Sequence, residues 1–273
     1  MLTGGVRTPL PHYPWSRSYF WAETELSRRD RLDGTVHPVL GISVSASRPA
    51  WIADINRNYM PWLGDHKVDG ICLFPAAGYI EGGLAVHRQI ERTDVAIIED
   101  LEIGQALLLD GLTPPTVDWA FDAETRTLTV ASAHGEEGDE EWVQHAKMRV
   151  LSNIPWDATP VTPDDLYKDT HTDLPADQFY AGLAEHGFMY GPCFPTVKNL
   201  KIGEHLAVAT LNYDVDEDVS ESFLHPALLD GAFQALLGSG YHPAAERVFI
   251  PTVAPQSRYH WAIHKDLLAF APL

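Results

Sequence analysis

The sequence predicts an α+β fold in which mostly antiparallel sheets wrap around helices, built as two halves of similar layout. Short runs of alternating or continuous apolar residues, which are typical of strands, occupy most of the chain. Two distant stretches, DHKVDGICLFPAAGY and HPALLDGAFQALLG, each lead into a helix through a proline, Pro75 and Pro226. Because proline suits the first turn of a helix, these stretches predict one matching helix in each half.

The first half contains one predicted helix among short strands. The predicted strands between Val36 and Ile103 are ISVSAS, AWIADI, DGICLF and DVAIIEDLEI, and the helix is AAGYIEGGLAVHRQI. Ala77, Ile80 and Leu84 fall on one face of this helix at helical spacing. Its glycines (Gly78, Gly82 and Gly83) lower the helix propensity, but they would let a sheet approach closely.

Beyond Gln105 the pattern changes to consecutive strands. VDWAFD and TLTVASA flank AETR as a hairpin, and EWVQHAKMRVL adds a long strand. A connection rich in Pro and Asp follows, in which Thr162 begins a short predicted helix. The next helix, ADQFYAGLAEH, ends at Gly187, and further strands precede the helix that begins at Pro226.

These patterns predict four parts along the chain. Residues 1–34 form a linker rich in proline and aromatic side chains, and residues 35–151 form the first half. Residues 152–175 connect it to the second half, residues 176–273. The second half is short at its C-terminal end, because fewer residues follow its helix than follow the helix of the first half.

Composition restricts the classes of function. The 273 residues include 19 basic and 38 acidic side chains, giving a formal net charge of −19. This argues against a nucleic-acid ligand, since phosphate binding needs clustered Lys and Arg. The 2 cysteines are too few for a disulfide framework or a thiolate zinc site. With no apolar run of membrane-spanning length and no signal-peptide pattern, we expect a soluble cytoplasmic protein.

His66 is a candidate general base. A single histidine is more often an ordinary exposed or hydrogen-bonded side chain, but imidazole titrates near neutrality, as proton abstraction requires. Its loop runs through Gly70, where a backbone can approach a ligand closely. The helix that follows presents N-terminal N–H groups able to polarise a carbonyl oxygen. A base beside such a site suits removal of the proton α to a thioester.

Asp230 is a candidate acid within an apolar helical run, LLDGAFQAL. A buried Asp more often caps or bonds a nearby loop. However, desolvation by apolar neighbours raises the pKa of a carboxyl, which would then carry a proton to donate. Gln234 lies one helical turn further on and can hold that carboxyl by a hydrogen bond.

Other reactive side chains give weaker signals. His260 and His264 have the spacing of neighbouring helix positions but lack a third ligand, so a metal site is not predicted. Cys72 and Cys193 lie among apolar residues and are more typical of core positions than of nucleophiles.

Several motifs, in order along nearly the whole chain, resemble the dehydratase domains of polyketide synthases. HKVDGICLFP fits their H-x-x-x-G-x-x-x-x-P motif, YGPCF their Y-G-P motif, and HPALLDGAFQ their D-x-x-x-Q/H motif. HPVLG, beginning at His37, is similar to the H-P-L-L-G that opens such domains. LPHYPWSRSYFW resembles the linker that follows an acyltransferase domain.

This resemblance implies a double-hotdog fold, in which each half is an antiparallel sheet wrapped around a central helix. It assigns His66 as the base and Asp230 as the acid. Gln234 and Tyr190 would arrange Asp230, and Gly70 would shape the carbonyl site. Pro75 and Gly191 are the remaining motif positions.

The resemblance also implies a substrate and partners. The substrate would be a (3R)-3-hydroxyacyl chain on the phosphopantetheine arm of an acyl carrier protein, and the product a trans-2-enoyl thioester and water. No metal or bound cofactor is implied. The expected partners are the acyl carrier protein, other domains of the same synthase and a second copy in a homodimer, with no nucleic acid and no membrane.

Two alternatives stay open at the level of sequence. A product-template domain, which catalyses aldol cyclisation, has a similar fold and a similar His and Asp pair. A catalytically silent double-hotdog domain could instead serve as a scaffold. The intact His66, Tyr190, Asp230 and Gln234 argue against the silent alternative.

Overall fold

Two helices entered through prolines form the axes of the two halves in a computed structural model. The structure describes Arg28 and residues 34–44, 46–93, 96–111, 113–134, 141–152, 167–203, 206–214, 222–239, 253–258 and 266–272. Almost all of the predicted linker at residues 1–34, and the predicted helix beginning at Thr162, lie outside these described residues.

The structure describes three α-helices and one short 3-10 helix. They are α1 (Ala76–Glu91), α2 (Ala176–Glu185) and α3 (Pro226–Ser239), and a short 3-10 helix covers Pro61–Asp65. Pro75 has extended backbone angles and is the N-cap of α1, while Arg92 adopts the left-handed conformation at the other end. Three of the four predicted helices are therefore confirmed, and the fourth, at Thr162, lies outside the described residues. None of the described helices is long and apolar enough to cross a bilayer.

Seven antiparallel strands form the first sheet. They are β1 (Ile42–Val44), β2 (Ala50–Asp54), β5 (Ala96–Ile103), β6 (Thr116–Asp122), β7 (Thr127–His134), β8 (Glu141–Ser152) and β13 (Val253–Arg258), in the order β1-β2-β6-β7-β8-β5-β13. The predicted hairpin is β6 and β7, closed by the pairing of Asp122 with Thr127. Helix α1 packs against β5 and β8 of this sheet.

Four strands form the second large sheet. They are β9 (Thr170–Pro175), β11 (Val197–Gly203), β12 (Leu206–Asn212) and β14 (Asp266–Pro272), in the order β14-β12-β11-β9. Helix α3 packs against β11, β12 and β14. A third, small sheet contains β3 (His66–Val68), β4 (Ile71–Cys72) and β10 (Phe188–Tyr190), in the order β10-β3-β4.

Two pairings differ from the sequence-based division of the chain. Thr170–Pro175 was expected in the connection, but it pairs with β11 as an edge strand, a position that tolerates its terminal proline. The C-terminal segment is shared between the halves, because β13 pairs with β5 of the first sheet and β14 with β12 of the second. Its last two described strands thus form edges of different sheets.

The glycines of α1 allow the close contact between helix and sheet that the sequence predicted. A Cβ atom on Gly82 would overlap the indole ring of Trp119, and one on Gly78 would meet the ring of Phe74 at 2.6 Å. Trp119 is fully buried. At Gly82 the helix therefore lies nearer to the sheet than a residue with a side chain would permit.

We expect Gly82→Ala to destabilise the fold despite the better helix propensity of alanine. The propensity gain is about 1 kcal/mol, whereas overpacking a filled core costs about 1–3 kcal/mol, so the clash with Trp119 should dominate. Urea denaturation measures the balance. Gly104→Ala is the matched control, because a Cβ atom there meets no atom within 4 Å. A Gly82→Ala variant more stable than the parent would contradict this packing.

A buried carboxylate connects the two halves. Glu81, on α1 and fully buried, accepts hydrogen bonds from the backbone N–H groups of Phe223 and Leu224 at 2.6 and 2.9 Å. The Nε2 atom of His37 lies 3.0 Å from the same carboxylate, and its Nδ1 atom accepts from the N–H of Val39. This assigns the Nε2 proton to the bond with Glu81. One side chain therefore fixes both the N-terminal HPVLG segment and the approach to α3.

Replacement of Glu81 by Gln should cost about 1–3 kcal/mol of unfolding free energy, because one acceptor oxygen becomes an NH2 group that faces a backbone N–H donor. Chemical denaturation measures this cost. Glu91→Gln on the same helix is the control: Glu91 pairs with Arg126 but is 32% exposed, so its loss should cost less than about 1 kcal/mol. Equal costs for the two variants would contradict the connecting role of Glu81.

Candidate active site

The candidate site forms where the two halves share a sheet. Strand β3 from the first half pairs with β10 from the second, with His66 opposite Tyr190 and Val68 opposite Phe188. His66 immediately follows the 3-10 helix and begins β3. The backbone pairing therefore brings the predicted base next to the Y-G-P motif, across the boundary between the halves.

The imidazole of His66 has a fixed orientation. Its Nδ1 atom lies 3.1 Å from the carbonyl oxygen of Leu73. Because a carbonyl can only accept, Nδ1 carries the proton and Nε2 of the neutral ring holds a lone pair. The Nε2 atom lies 4.0 Å from Oδ1 of Asp230, and the two side chains are only 12% and 8% exposed. The predicted base and acid are thus brought together, with both side chains largely buried.

A chain of hydrogen bonds holds the carboxyl group of Asp230. Gln234, one turn further along α3, donates from Nε2 to Oδ2 of Asp230 at 2.8 Å and to the carbonyl of Phe194 at 3.2 Å. The hydroxyl of Tyr180 donates to Oε1 of Gln234 at 2.8 Å and accepts from the N–H of Val197. The predicted contact between Gln234 and Asp230 is confirmed. Tyr180 was not predicted as part of the site, because its position in the helical pattern of α2 indicates only a partly buried ring.

Burial shifts the pKa values of two side chains in this network. The pKa of Asp230 is raised by desolvation, against the opposing effects of nearby His66 and of the hydrogen bond from Gln234. The pKa of Tyr190 is raised well above its ordinary value, first by burial and then by the charge of Asp230, while a hydrogen bond with Gln234 acts in the other direction. A protonated Asp230 is therefore favoured more than in water.

Aromatic rings enclose His66 on the side of the second half. The ring centroids of Tyr190 and Phe194 lie 5.8 and 5.1 Å from that of His66, and the two rings stack on each other at 5.9 Å. The segment Tyr190–Phe194 thus contacts the base through its rings. It also contacts the acid through Gln234, which bonds the carbonyl of Phe194.

The structure places Gly70 in a tight turn of the small sheet. Asp69 and Gly70, with φ of 50° and 79°, form the two-residue turn between β3 and β4, and Gly70 is exposed. Such a tight hairpin turn requires positive φ at both central residues, which glycine adopts without strain. A Cβ atom there would meet no described protein atom within 4 Å, so the positive φ of the turn is the structural reason for a glycine at this position.

The matching position in the first half does not form a second site. Tyr79 lies four residues after Pro75, as Asp230 lies four after Pro226, but it packs against the rings of Phe74 and Trp119. Its buried hydroxyl has no hydrogen-bond partner among the described residues, and burial raises its pKa. The two halves have similar layouts, but Tyr79 is a core residue, whereas Asp230 belongs to the polar site at the junction of the halves.

The weaker candidates have structural positions where they are described. The Sγ atom of Cys72 donates to the carbonyl of Leu63 at 2.9 Å, and burial raises the thiol pKa, which disfavours a reactive thiolate. Cys193 is also buried. His260 and His264 lie outside the described residues. In the part of the chain that is described, no three His, Cys, Asp or Glu side chains cluster as metal ligands would.

Comparison with known sequences identifies the family. Residues 37–133 match the family described as the polyketide synthase dehydratase domain, and residues 158–268 match that described as the polyketide synthase dehydratase N-terminal domain. The chain belongs to the polyketide synthase dehydratase family. Members of this family are hydro-lyases in general, and the matches do not favour the product-template or silent-scaffold alternatives.

The relatives are much longer proteins. A phenolphthiocerol/phthiocerol polyketide synthase protein of Mycobacterium tuberculosis is 29% identical over 247 residues, which cover 86% of this chain and 13% of that protein. The hybrid PKS-NRPS synthetase pynA of Aspergillus niger is 26% identical over 255 residues, which cover 83% of this chain and 6% of that protein. This chain therefore matches a small part of each synthase.

Solved structures confirm the double-hotdog fold. The dehydratase domain from the CurF module of the curacin polyketide synthase has a TM-score of 0.77 at 20% identity, over 87% of this chain and 88% of that one. The dehydratase domain of a mycocerosic acid synthase-like polyketide synthase has a TM-score of 0.68 at 25% identity, over 81% and 80% of the two chains.

We expect Asp230→Asn to stabilise the polyketide synthase dehydratase fold increasingly as pH rises. The pKa of Asp230 in the folded state is raised above the unfolded value of about 3.9. Its protonated carboxyl therefore contributes fully to the free energy of unfolding at pH values below the unfolded pKa. This contribution is lost as pH rises through the folded pKa, whereas asparagine never ionises. Thermal denaturation at several pH values measures the difference. Asp173→Asn, at an exposed carboxylate paired with Lys201, should show no such gain. A constant Asp230→Asn difference would contradict the raised pKa.

Proposed function

We propose that this domain eliminates water from a (3R)-3-hydroxyacyl thioester and releases a trans-2-enoyl thioester. The observation that carries the proposal is the 4.0 Å separation of His66 Nε2 and Asp230 Oδ1, with both side chains largely buried. The reaction needs a base for the α proton and an acid for the β hydroxyl on neighbouring carbons. Two groups at this separation can serve both atoms from one side of the substrate.

His66 is the proposed base. The bond from Nδ1–H to the Leu73 carbonyl directs the Nε2 lone pair towards Asp230 and the reacting atoms. Nε2 takes the α proton, and the electrons of the broken C–H bond form the new double bond. The Leu73 carbonyl also stabilises the imidazolium that results, because it accepts a stronger hydrogen bond from a charged donor.

Asp230 is the proposed acid. Its raised pKa favours the protonated carboxyl, which donates its proton to the departing hydroxyl as the Cβ–O bond breaks. Elimination leaves His66 protonated and Asp230 ionised, and Gln234 donates to the new carboxylate. Proton return across the short gap between them restores the starting state. The atoms and charges therefore balance without a metal or a bound cofactor.

The N-terminus of α1 is the proposed site for the thioester carbonyl. The N–H of Gly78 already bonds the carbonyl of Pro75, whereas the N–H groups of Ala76 and Ala77 have no acceptor four residues back within the helix and carry partial positive charge. These two groups would stabilise the oxygen as α-proton removal shifts charge onto it. His66 is hydrogen-bonded to Leu73, which precedes this 16-residue helix by a few residues. The base and the N-terminus of α1 are thus joined by one short stretch of chain, which ends at Pro75, the N-cap of the helix.

Solved neighbours support the use of a His and an Asp. Two structures of the curacin CurK dehydratase are described as inactive mutants, one with a His replaced by Phe and the other with an Asp replaced by Asn. The length of the relatives supports a multidomain setting for this chain. We therefore propose that its substrate is carried on the phosphopantetheine arm of an acyl carrier protein, and that it acts beside other domains of a synthase as a homodimer.

Conversion of a 3-hydroxyacyl thioester, followed as the loss of one water by mass spectrometry, tests the reaction. His66→Phe and Asp230→Asn should each lower kcat by at least about 100-fold, the usual contribution of a positioned base or acid. The exposed His171→Phe should keep parental activity. The proposal fails if the parent and His66→Phe behave alike, whether both convert the substrate or neither does.

A further inference from the structure

Asp65, the residue before His66, contacts the second half through both its backbone and its side chain. Its carbonyl oxygen accepts the N–H of Gly191 at 2.7 Å. Its Oδ2 atom accepts the N–H of Cys193 at 3.0 Å, although the two residues are 128 positions apart. Two acceptors of one residue therefore hold two donors of the Y-G-P segment. Neither bond belongs to the β3–β10 ladder, which ends at His66 and Tyr190.

The side chain of Asp65 also occupies the space that a side chain at residue 191 would need. A Cβ atom built on Gly191 would overlap Oδ1 of Asp65. Gly191 does not need its freedom of φ here, since its backbone is not in the left-handed region. Close approach of the Asp65 carboxylate is therefore the physical reason for a glycine at this position.

The segment that Asp65 holds touches both members of the proposed catalytic pair. Tyr190 and Phe194 place their rings against the imidazole of His66. The carbonyl of Phe194 accepts from Gln234, whose same Nε2 atom donates to Asp230. Asp65 thus fixes the segment at the side of the base, and Gln234 ties it to the acid.

We propose that Asp65 is a positioning residue that sets the separation between His66 and Asp230 through Gly191 and Cys193. The inference rests on the proposed dehydration. Asp65 exchanges no proton in that reaction, and its carboxylate serves only as an acceptor of fixed shape. An isosteric amide should therefore replace it in large part, because the amide oxygen can accept the N–H of Cys193 in the same place.

Kinetics of Asp65→Ala and Asp65→Asn test the positioning role. Asp65→Ala should lower kcat by about 10- to 100-fold with little change in KM, since small misplacements of reacting groups have effects of this size. Asp65→Asn should recover most of the lost kcat. Both are measured well below the melting temperature of each variant, so that a loss of folded protein is not counted. If Asp65→Ala keeps kcat within about twofold of the parent, the inference is overturned.

The fit between Asp65 and Gly191 supplies a second test that does not depend on the alanine variant alone. Gly191→Ala should lower kcat, because the new methyl group displaces the Asp65 carboxylate. Combining it with Asp65→Ala removes the overlap, so the double variant should be more active than the product of the two single effects predicts. Simple multiplication of the effects would contradict a shared contact. Gly104→Ala, in open space, is the control.

Hydrogen exchange separates failure of this inference from failure of the proposed reaction. The Cys193 amide should be protected in the parent and in Asp65→Asn, and should exchange faster in Asp65→Ala. That pattern in a parent protein without dehydratase activity would reject the proposed function and leave the contact established. A catalytically active parent whose Cys193 amide exchanges equally in all three proteins would reject the role of Asp65.

Discussion

The antiparallel pairing of β3 with β10 is the constraint on which the site depends. This short ladder joins the halves at the residues that carry the motifs, since His66 lies opposite Tyr190. Three residue pairs contribute little stability alone, so neighbouring contacts must keep the register. Asp65 does so at one end, and the bond between Asp69 N–H and the Gly187 carbonyl does so at the other. A slip by one residue would turn His66 away from Asp230.

The second determinant is the buried Glu81, which carries no proposed chemistry. It sits on the helix that begins near the His66 segment, and it holds the backbone that leads into the helix carrying Asp230. A buried carboxylate needs compensation by several donors, and here His37 and two backbone N–H groups provide it. This polar connection thus fixes the two helices relative to one another. Apolar packing alone would leave them free to slide.

Exclusion of water unites these structural features with the proposed reaction. Apolar and aromatic neighbours raise the pKa of Asp230, and the same surroundings strengthen each hydrogen bond in the chain from Tyr180 to Gln234. A solvated Asp would be ionised at neutral pH and could not act as an acid. Burial therefore raises the pKa of the Asp230 carboxyl, while the hydrogen bond from Gln234 orients the same carboxyl and opposes part of that shift.

The sequence by itself determined the local features: the Pro-led helices, the glycine face of α1, the β6–β7 hairpin, and His66, Asp230 and Gln234 as candidates. Proline geometry, periodicity and contiguous motifs depend on near neighbours in the chain, so a linear sequence displays them. Tertiary structure alone decided the turn role of Gly70, the strand at Thr170–Pro175, the division of the C-terminal segment between two sheets, and the contributions of Tyr180, Glu81 and Asp65. Most of these depend on partners tens to more than a hundred positions away, and no local pattern specifies which distant strand or donor a residue will meet.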